Sequence, residues 1–219
     1  IVNVGDRGAA FNKDTGAKVW GSAGSAGYAS AVAYTSSGGQ RILAMFTDDQ
    51  LVGVDAASGN LVWWYGWATS YGVNAADPIV SGDKIFASSN YGFGCGVIQP
   101  STGQVTSAVW QNKNLRNWTN SSVFWNGYVY GIDEGGSMKC IDFATGTQMW
   151  SGGSFGSHGS VIVAGNELLA LTTSGDLVRV QLSTSGYSEL GRANDVVAGD
   201  TWTCPVLSNG KIFVRSHQG

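Results

Sequence analysis

A ten-residue phrase that returns at a steady interval constrains this chain more than any other feature. Each copy holds a short β-forming run, an Asp or Asn, a Thr-Gly or Ser-Gly turn, a second run and usually a Trp. The copies are FNKDTGAKVW (Phe11–Trp20), VDAASGNLVW (Val54–Trp63), IQPSTGQVTSAVW (Ile98–Trp110) and IDFATGTQMW (Ile141–Trp150). A degenerate fifth, VQLSTSGYSEL (Val180–Leu190), has no Trp. The turn glycines fall at Gly16, Gly59, Gly103, Gly146 and Gly186, separated by 43, 44, 43 and 40 residues. Near-equal spacing of this length is the signature of a repeat architecture.

The stretches between phrases repeat as well. SAVAYTSSGGQRILAMF, DPIVSGDKIFAS, SSVFWNGYVYGI, SVIVAGNELLALT and CPVLSNGKIFVRS each hold two β-rich runs split by a turn. Asn126-Gly127 and Asn209-Gly210 are the strongest short-range hairpin signals. One period therefore contains four short strands, and no stretch carries a helical period, which excludes βαβ folds. Four antiparallel strands per ~43 residues is the arithmetic of a β-propeller blade. The expectation is an all-β propeller in one domain, residues 1–219. The blades run over approximately 28–65, 76–112, 120–151 and 158–192, with half-blades at 1–20 and 202–219. The halves would either close a five-bladed ring or mark the ends of an arc from a larger one; an open arc exposes sheet edges, which proteins normally avoid. Trp20, Trp63, Trp110 and Trp150, on outer strands, can lie across the neighbouring blade, where Gly16, Gly59, Gly103 and Gly146 permit the tight turn.

Composition agrees. Hydrophobic residues make up 43% of the chain, enough for a substantial core, so disorder is excluded. No apolar run approaches the ~18 residues of a membrane span. Twelve Lys and Arg against fifteen Asp and Glu argue against a nucleic-acid partner. Cys95, Cys140 and Cys204 are far apart and form no CxxC, so they read as small buried hydrophobes. The chain opens on Ile1 with no secretory leader behind it, which reads as a processed start or a piece of something longer.

Several short motifs are better explained by the repeat than by chemistry. Gly152-Gly153-Ser154-Phe155-Gly156 spells a nucleophile elbow, with His158 nearby, but that motif needs a strand–turn–helix setting. Here it follows Trp150 and reads as a linker between blades. Ser81–Lys84 matches S-x-x-K inside a hairpin turn, and the sequons at Asn117 and Asn120 are of a kind that low charge and high Ser/Asn content produce by chance. With only His158 and His217, a multi-histidine metal site is excluded.

Topology gathers the polar and aromatic loop residues of this chain. In a propeller, loops from an outer strand to the next inner strand share one face with loops between second and third strands. The first set carries Asn74, Asp77, Arg116, Asn117, Trp118, His158 and Trp202. The second carries Asp48, Asp49, Asn90, Tyr91, Asp133, Glu134 and His217. These groups would ring the mouth of the central channel. Carboxylates with amides could hold Ca²⁺, and carboxylates with Trp and Tyr a sugar or a peptide. Loops are also polar simply because they are wet.

The phrase D-x-x-[TS]-G-x-x-x-W resembles the repeat of the pyrroloquinoline-quinone-type propellers, with its tryptophan-docking motif. Asn12/Thr15/Gly16/Trp20, Asp55/Ser58/Gly59/Trp63 and Asp142/Thr145/Gly146/Trp150 fit it. Gln99 with the late Trp110, and Gln181 with no Trp, depart from it. GYASAV, YGVNAADPIV, SNYGFGCG and WTCPVLSNGKIFVRS also look like segments of bacterial proteins with this repeat. The resemblance implies an exported, periplasmic protein of seven or eight blades in full, of which this chain is the C-terminal part. Quinoprotein dehydrogenases of the family use a disulfide between adjacent cysteines and a calcium ion, and no adjacent cysteines occur here. The quinone and Ca²⁺ therefore stand as cofactors by resemblance only. The non-enzymatic branch includes an outer-membrane-protein assembly lipoprotein whose propeller is a scaffold. Three readings follow, in this order: a binding scaffold for a protein, polymer or small ligand, part of a quinone-dependent alcohol dehydrogenase, and a glycan-active enzyme working with a carboxylate pair.

Overall fold

The computed structural model describes residues 1–218, so Gly219, the last residue of the expected terminal half-blade, lies outside it. Among the described residues there are twenty-one β-strands, one 3-10 turn at Ser70–Gly72 and no α-helix. Among these residues no helix is long and apolar enough to cross a membrane. The chain divides into two compact units, Ile1–Gln111 and Asn112–Gly219.

In the first unit, β1 (Ala9–Phe11) and β2 (Lys18–Gly21) form a two-stranded sheet. β3 (Val32–Thr35), β4 (Arg41–Phe46), β5 (Gln50–Asp55) and β6 (Leu61–Gly66) form an antiparallel meander. β7 (Ile79–Ser81), β8 (Lys84–Ser89) and β9 (Gly94–Ile98) form the next meander. Here the late Trp of the third phrase has a structural counterpart. Gly103–Gln104, β10, leave their own sheet and pair in parallel with Trp63–Trp64 of β6. Trp110–Asn112, β11, then supply the fourth strand beside β9.

In the second unit, β12 (Val123–Trp125), β13 (Tyr128–Ile132), β14 (Met138–Asp142) and β15 (Gln148–Gly152) form one four-stranded antiparallel sheet. β16 (Ser160–Ala164), β17 (Glu167–Leu171), β18 (Leu177–Gln181) and β19 (Glu189–Ala193) form another. β20 (Val206–Ser208) and β21 (Lys211–Phe213) make a final hairpin. The first strands β12 and β16 lie against each other, as do β3 and β7 in the first unit.

Local chemistry explains these elements. Asn126-Gly127 joins β12 to β13 with φ of 47° and 85°, and Asn209-Gly210 joins β20 to β21 with 49° and 70°. Two consecutive left-handed residues make the type I′ turn, whose twist matches that of paired strands. The Thr-Gly and Ser-Gly turns are capped by the acidic or amide residue that opens them. Asp55 Oδ1 accepts from the Ser58 amide at 2.9 Å, Asp142 Oδ1 from Thr145 at 2.8 Å and Asn12 Oδ1 from Thr15 at 2.9 Å. Hydrogen bonds from Gln40 and Ser58 hold the Asp55 carboxyl down at about 2.

Middle strands β4, β5, β8, β9, β13 and β17 are buried on both faces, whereas β18 buries Val178 and Val180 and exposes Arg179 and Gln181. In β4, Ile42, Ala44 and Phe46 join one core with Trp63, Trp67, Ile85 and Ile98, while Leu43 and Met45 join the opposite core with Val52, Val54 and Trp20. The period-2 alternation of β4 thus serves two cores, so its sheet is flanked on both sides. In the second unit, Tyr130, Met138, Cys140 and Trp150 of one sheet share a core with Val161, Leu168, Ala170 and Val178 of the next. The indole of Trp150 reaches over this seam and donates to Ser183 O at 2.8 Å. Trp20 does the same toward Ala56 O at 3.2 Å. Trp63 turns back into its own sheet and donates to the Tyr34 hydroxyl at 2.9 Å.

Trp150 is 7% exposed and also hydrogen-bonded. Trp150→Ala is expected to cost about 3–5 kcal/mol, read as a lowered midpoint in chemical denaturation, because a buried Trp leaves a large cavity.

Candidate functional site

The loop ends of the sheets in the second unit carry a column of rings. Trp118 leaves the loop before β12, His158 the loop before β16, and Trp202 the loop before β20. Trp118 and His158 stack with centroids 4.5 Å apart and planes 29° apart. His158 and Trp202 stack at 3.9 Å and 18°. His217, beyond β21, packs on Trp202 at 5.3 Å, tilted by 55°. His158 is buried at the centre, whereas Trp202 is 44% exposed and His217 is exposed.

The column is held by backbone and amide contacts. Thr119 Oγ1 lies 3.0 Å from His158 Nδ1, and the His158 amide donates to Thr173 Oγ1 at 3.0 Å. Asn120 Nδ2 donates to His158 O at 2.6 Å. Thr201 Oγ1 donates to Thr172 O at 2.5 Å, and the His217 amide to Asp200 O at 3.0 Å, fixing the segment that carries Trp202. Burial lowers the His158 pKa, with the His217 charge in the same direction and Asp200 opposing.

A charged cluster sits beside the column's loops. Asp133 is 3% exposed; its carboxylate accepts from the Arg116 amide at 2.8 Å and pairs with Arg116 Nη2 at 3.0 Å and Lys139 Nζ at 3.2 Å. Glu134 pairs with Arg116 Nη1. Buried Asn117 donates to Ile132 O at 3.2 Å and accepts from Ser122 at 2.8 Å. These groups brace the loops that carry the aromatic column.

The first unit shows the same division between brace and surface. Asn74 is fully buried; its Nδ2 donates to Thr47 O and Asp48 O at 3.1 Å and to Trp67 O at 3.3 Å. Its Oδ1 accepts from Ser89, whose hydroxyl also accepts the Trp67 indole N–H at 2.9 Å. Asp77 accepts from the Ser30 amide, Asp49 from the Thr47 hydroxyl, and Asn90 from the Tyr91 amide. Asp48 lies against Gly72. Tyr71 and Tyr91 meet edge to face at 5.7 Å. Both adopt left-handed φ, 67° and 57°, which is unusual for bulky side chains. Tyr71 is 88% exposed and Tyr28, in the loop before β3, is 74% exposed.

Sequence reasoning named Trp118, His158, Trp202 and His217 without foreseeing that they stack. It missed Thr119, Asn120 and Asp200 around His158, and Tyr28, Tyr71 and Trp67 in the first unit. The left-handed φ of Tyr71, within Ser70-Tyr71-Gly72, has no counterpart in residue type. Ser154 lies between β15 and β16 with no helix after it, as a linker does.

The donor set does not suit a quinoprotein centre. All three cysteines are thiols; Cys95 and Cys140 are buried in separate units and Cys204 is exposed. Burial pushes the Cys140 thiol up to about 11. Among the described residues no three His, Cys, Asp or Glu converge as metal ligands, and Asp133 is already bound by two cations.

Burial makes the charged form of His158 unfavourable in the folded state, so folding releases its proton. The contribution is intact above the unfolded His pKa of about 6.5 and is lost as pH falls from there through the folded value. Wild-type protein is expected to melt at a lower temperature at pH 5 than at pH 7.5. Subtracting a His158→Asn variant measured in parallel should shrink that difference.

Residues 1–152 match the family model described as outer membrane protein assembly factor BamB, and the chain belongs to that family. Among solved structures it is similar to BamB from Moraxella catarrhalis, at 17% identity and a TM-score of 0.62, covering 95% of this chain and 73% of that one. It is similar to the computationally designed Ika8 protein, at 10% identity and a TM-score of 0.66, covering 96% and 62%. It also resembles the WD40 β-propeller domain of Doa1, at 15% identity and a TM-score of 0.59, covering 82% and 58%. No curated protein matches the chain. The fold is a β-propeller of four-stranded antiparallel sheets.

Proposed function

We propose that this propeller is a non-catalytic binding scaffold of the bacterial envelope that serves outer-membrane protein assembly from the periplasmic side. Its loop face grips a protein partner, and the aromatic column of the second unit is the anchor. The single observation that carries this reading is the pairing of a fixed, buried His158 with an exposed, stacked Trp202. Rigid Trp and Tyr surfaces, held by buried hydrogen bonds, are the usual source of hot spots at protein interfaces. Family membership supports the assembly role, and the braced state of Asp133, Asn74 and Asn117 supports binding over acid–base chemistry.

Strands of outer-membrane barrels alternate in polarity and carry aromatic girdles. A synthetic strand peptide of that pattern is therefore the probe. It is expected to bind and to change the fluorescence of Trp202, and Trp202→Ala should weaken binding about tenfold, the factor that 1.4 kcal/mol represents. Equal binding by the variant would contradict the assignment. Protein mixed with the quinone, Ca²⁺ and an alcohol is expected to reduce no dye; reduction would favour the dehydrogenase reading.

A further inference from the structure

No indole donates across to the turn at Gly103 as Trp20 does to the second turn and Trp150 to the fifth; Trp63 donates to Tyr34 instead. A Cβ on Gly59 would meet the ring of Trp20 at 2.5 Å; a Cβ on Gly103, like one on Gly16 or Gly186, would meet nothing within 4 Å. The cause is one cross-strand neighbour. Trp20 pairs with Ala10 and Trp150 with Cys140, but Trp63 pairs with Gly53. A Cβ at Gly53 would lie 2.1 Å from the Trp63 indole. Only glycine lets that indole fold back over its own sheet, where Tyr34 accepts its N–H and leaves it 1% exposed.

The backbone ladder between β10 and β6 joins the two sheets in its place, extended by the Val105 amide to Trp64 O at 2.8 Å. What remains is a cleft of about 370 Å³ whose lining includes Tyr34, Trp63, Asp83, Pro100, Ser101 and Thr102. That volume lies within the ~300–1,000 Å³ usual for ligand sites. The cleft sits at the hairpin-turn end of the first unit's sheets, opposite their loop ends, and does not depend on the function proposed above.

The chain itself shows what such a turn binds. On the second turn the indole N–H meets Ala56 O, one residue after Asp55; on the fifth it meets Ser183 O, two residues after Gln181. The equivalents after Gln99 are Pro100 and Ser101, and both line the cleft. Trp63 is too buried to offer its face to a sugar ring.

We propose that this cleft receives a tryptophan side chain from a protein partner, seated on the Gly103 turn as Trp20 and Trp150 are seated on theirs. N-acetyltryptophanamide titrated into ¹⁵N-labelled protein is the test. Saturable shifts are expected at Ser101, Thr102 and Gly103, at concentrations at least tenfold below those needed for the phenylalanine analogue. Ser37→Trp, at an exposed turn on the cleft wall, should abolish them by filling the space. Gly53→Ala should do the same by driving Trp63 outward; if that variant does not fold, Ser37→Trp alone decides. No saturable shift, equal shifts from the phenylalanine analogue or glucose, or shifts that survive in Ser37→Trp would each overturn the proposal.

Discussion

The central strands of the larger sheets carry apolar side chains on both faces, and neither face stays wet. A strand such as β4 sends Ile42, Ala44 and Phe46 to one core and Leu43 and Met45 to another. Within each unit, adjacent sheets therefore pack face on face. At Trp20 and Trp150 the indole ties the seam by crossing from its own outer strand to the next turn. Its ring covers apolar surface and its N–H meets a carbonyl that would otherwise lose its water.

The seam at Trp63 shows how little is needed to change this arrangement. One glycine at position 53 removes a Cβ, the indole retracts, and a two-residue parallel ladder replaces it. The result is a joint in which the ring packs in the core beside a backbone ladder and makes no hydrogen bond to the turn, with open space over it. A repeat protein can thus acquire a cleft by altering the neighbour of a key residue while keeping the residue itself.

Fold class and hairpin turns were legible because they depend on local pattern. Asn-Gly turns, capped Asp turns and alternating strands are written in adjacent residues. The positions of Trp118, His158 and Trp202 were legible as a loop set because topology alone places them on one face. Their stacking was not, since it depends on the backbone paths of three loops separated by about forty residues each. The roles of Asn74, Asn117 and Asp133 were hidden for a related reason. A buried brace and an exposed ligand-binding group have the same residue type, and only burial with hydrogen-bond partners separates them. The retraction of Trp63 was equally invisible in the phrase, which matches its siblings from Asp55 to Trp63.

Mutual support between neighbouring sheets is the claim on which the rest stands. Native-state hydrogen exchange on a Trp150→Phe variant tests it most directly, because the ring removed belongs to β15 and the carbonyl it meets follows β18. Coupled sheets predict faster exchange in β17 and β18 as well as in β14 and β15. Faster exchange confined to β14 and β15, with β17 and β18 as slow as in the wild type, would contradict it.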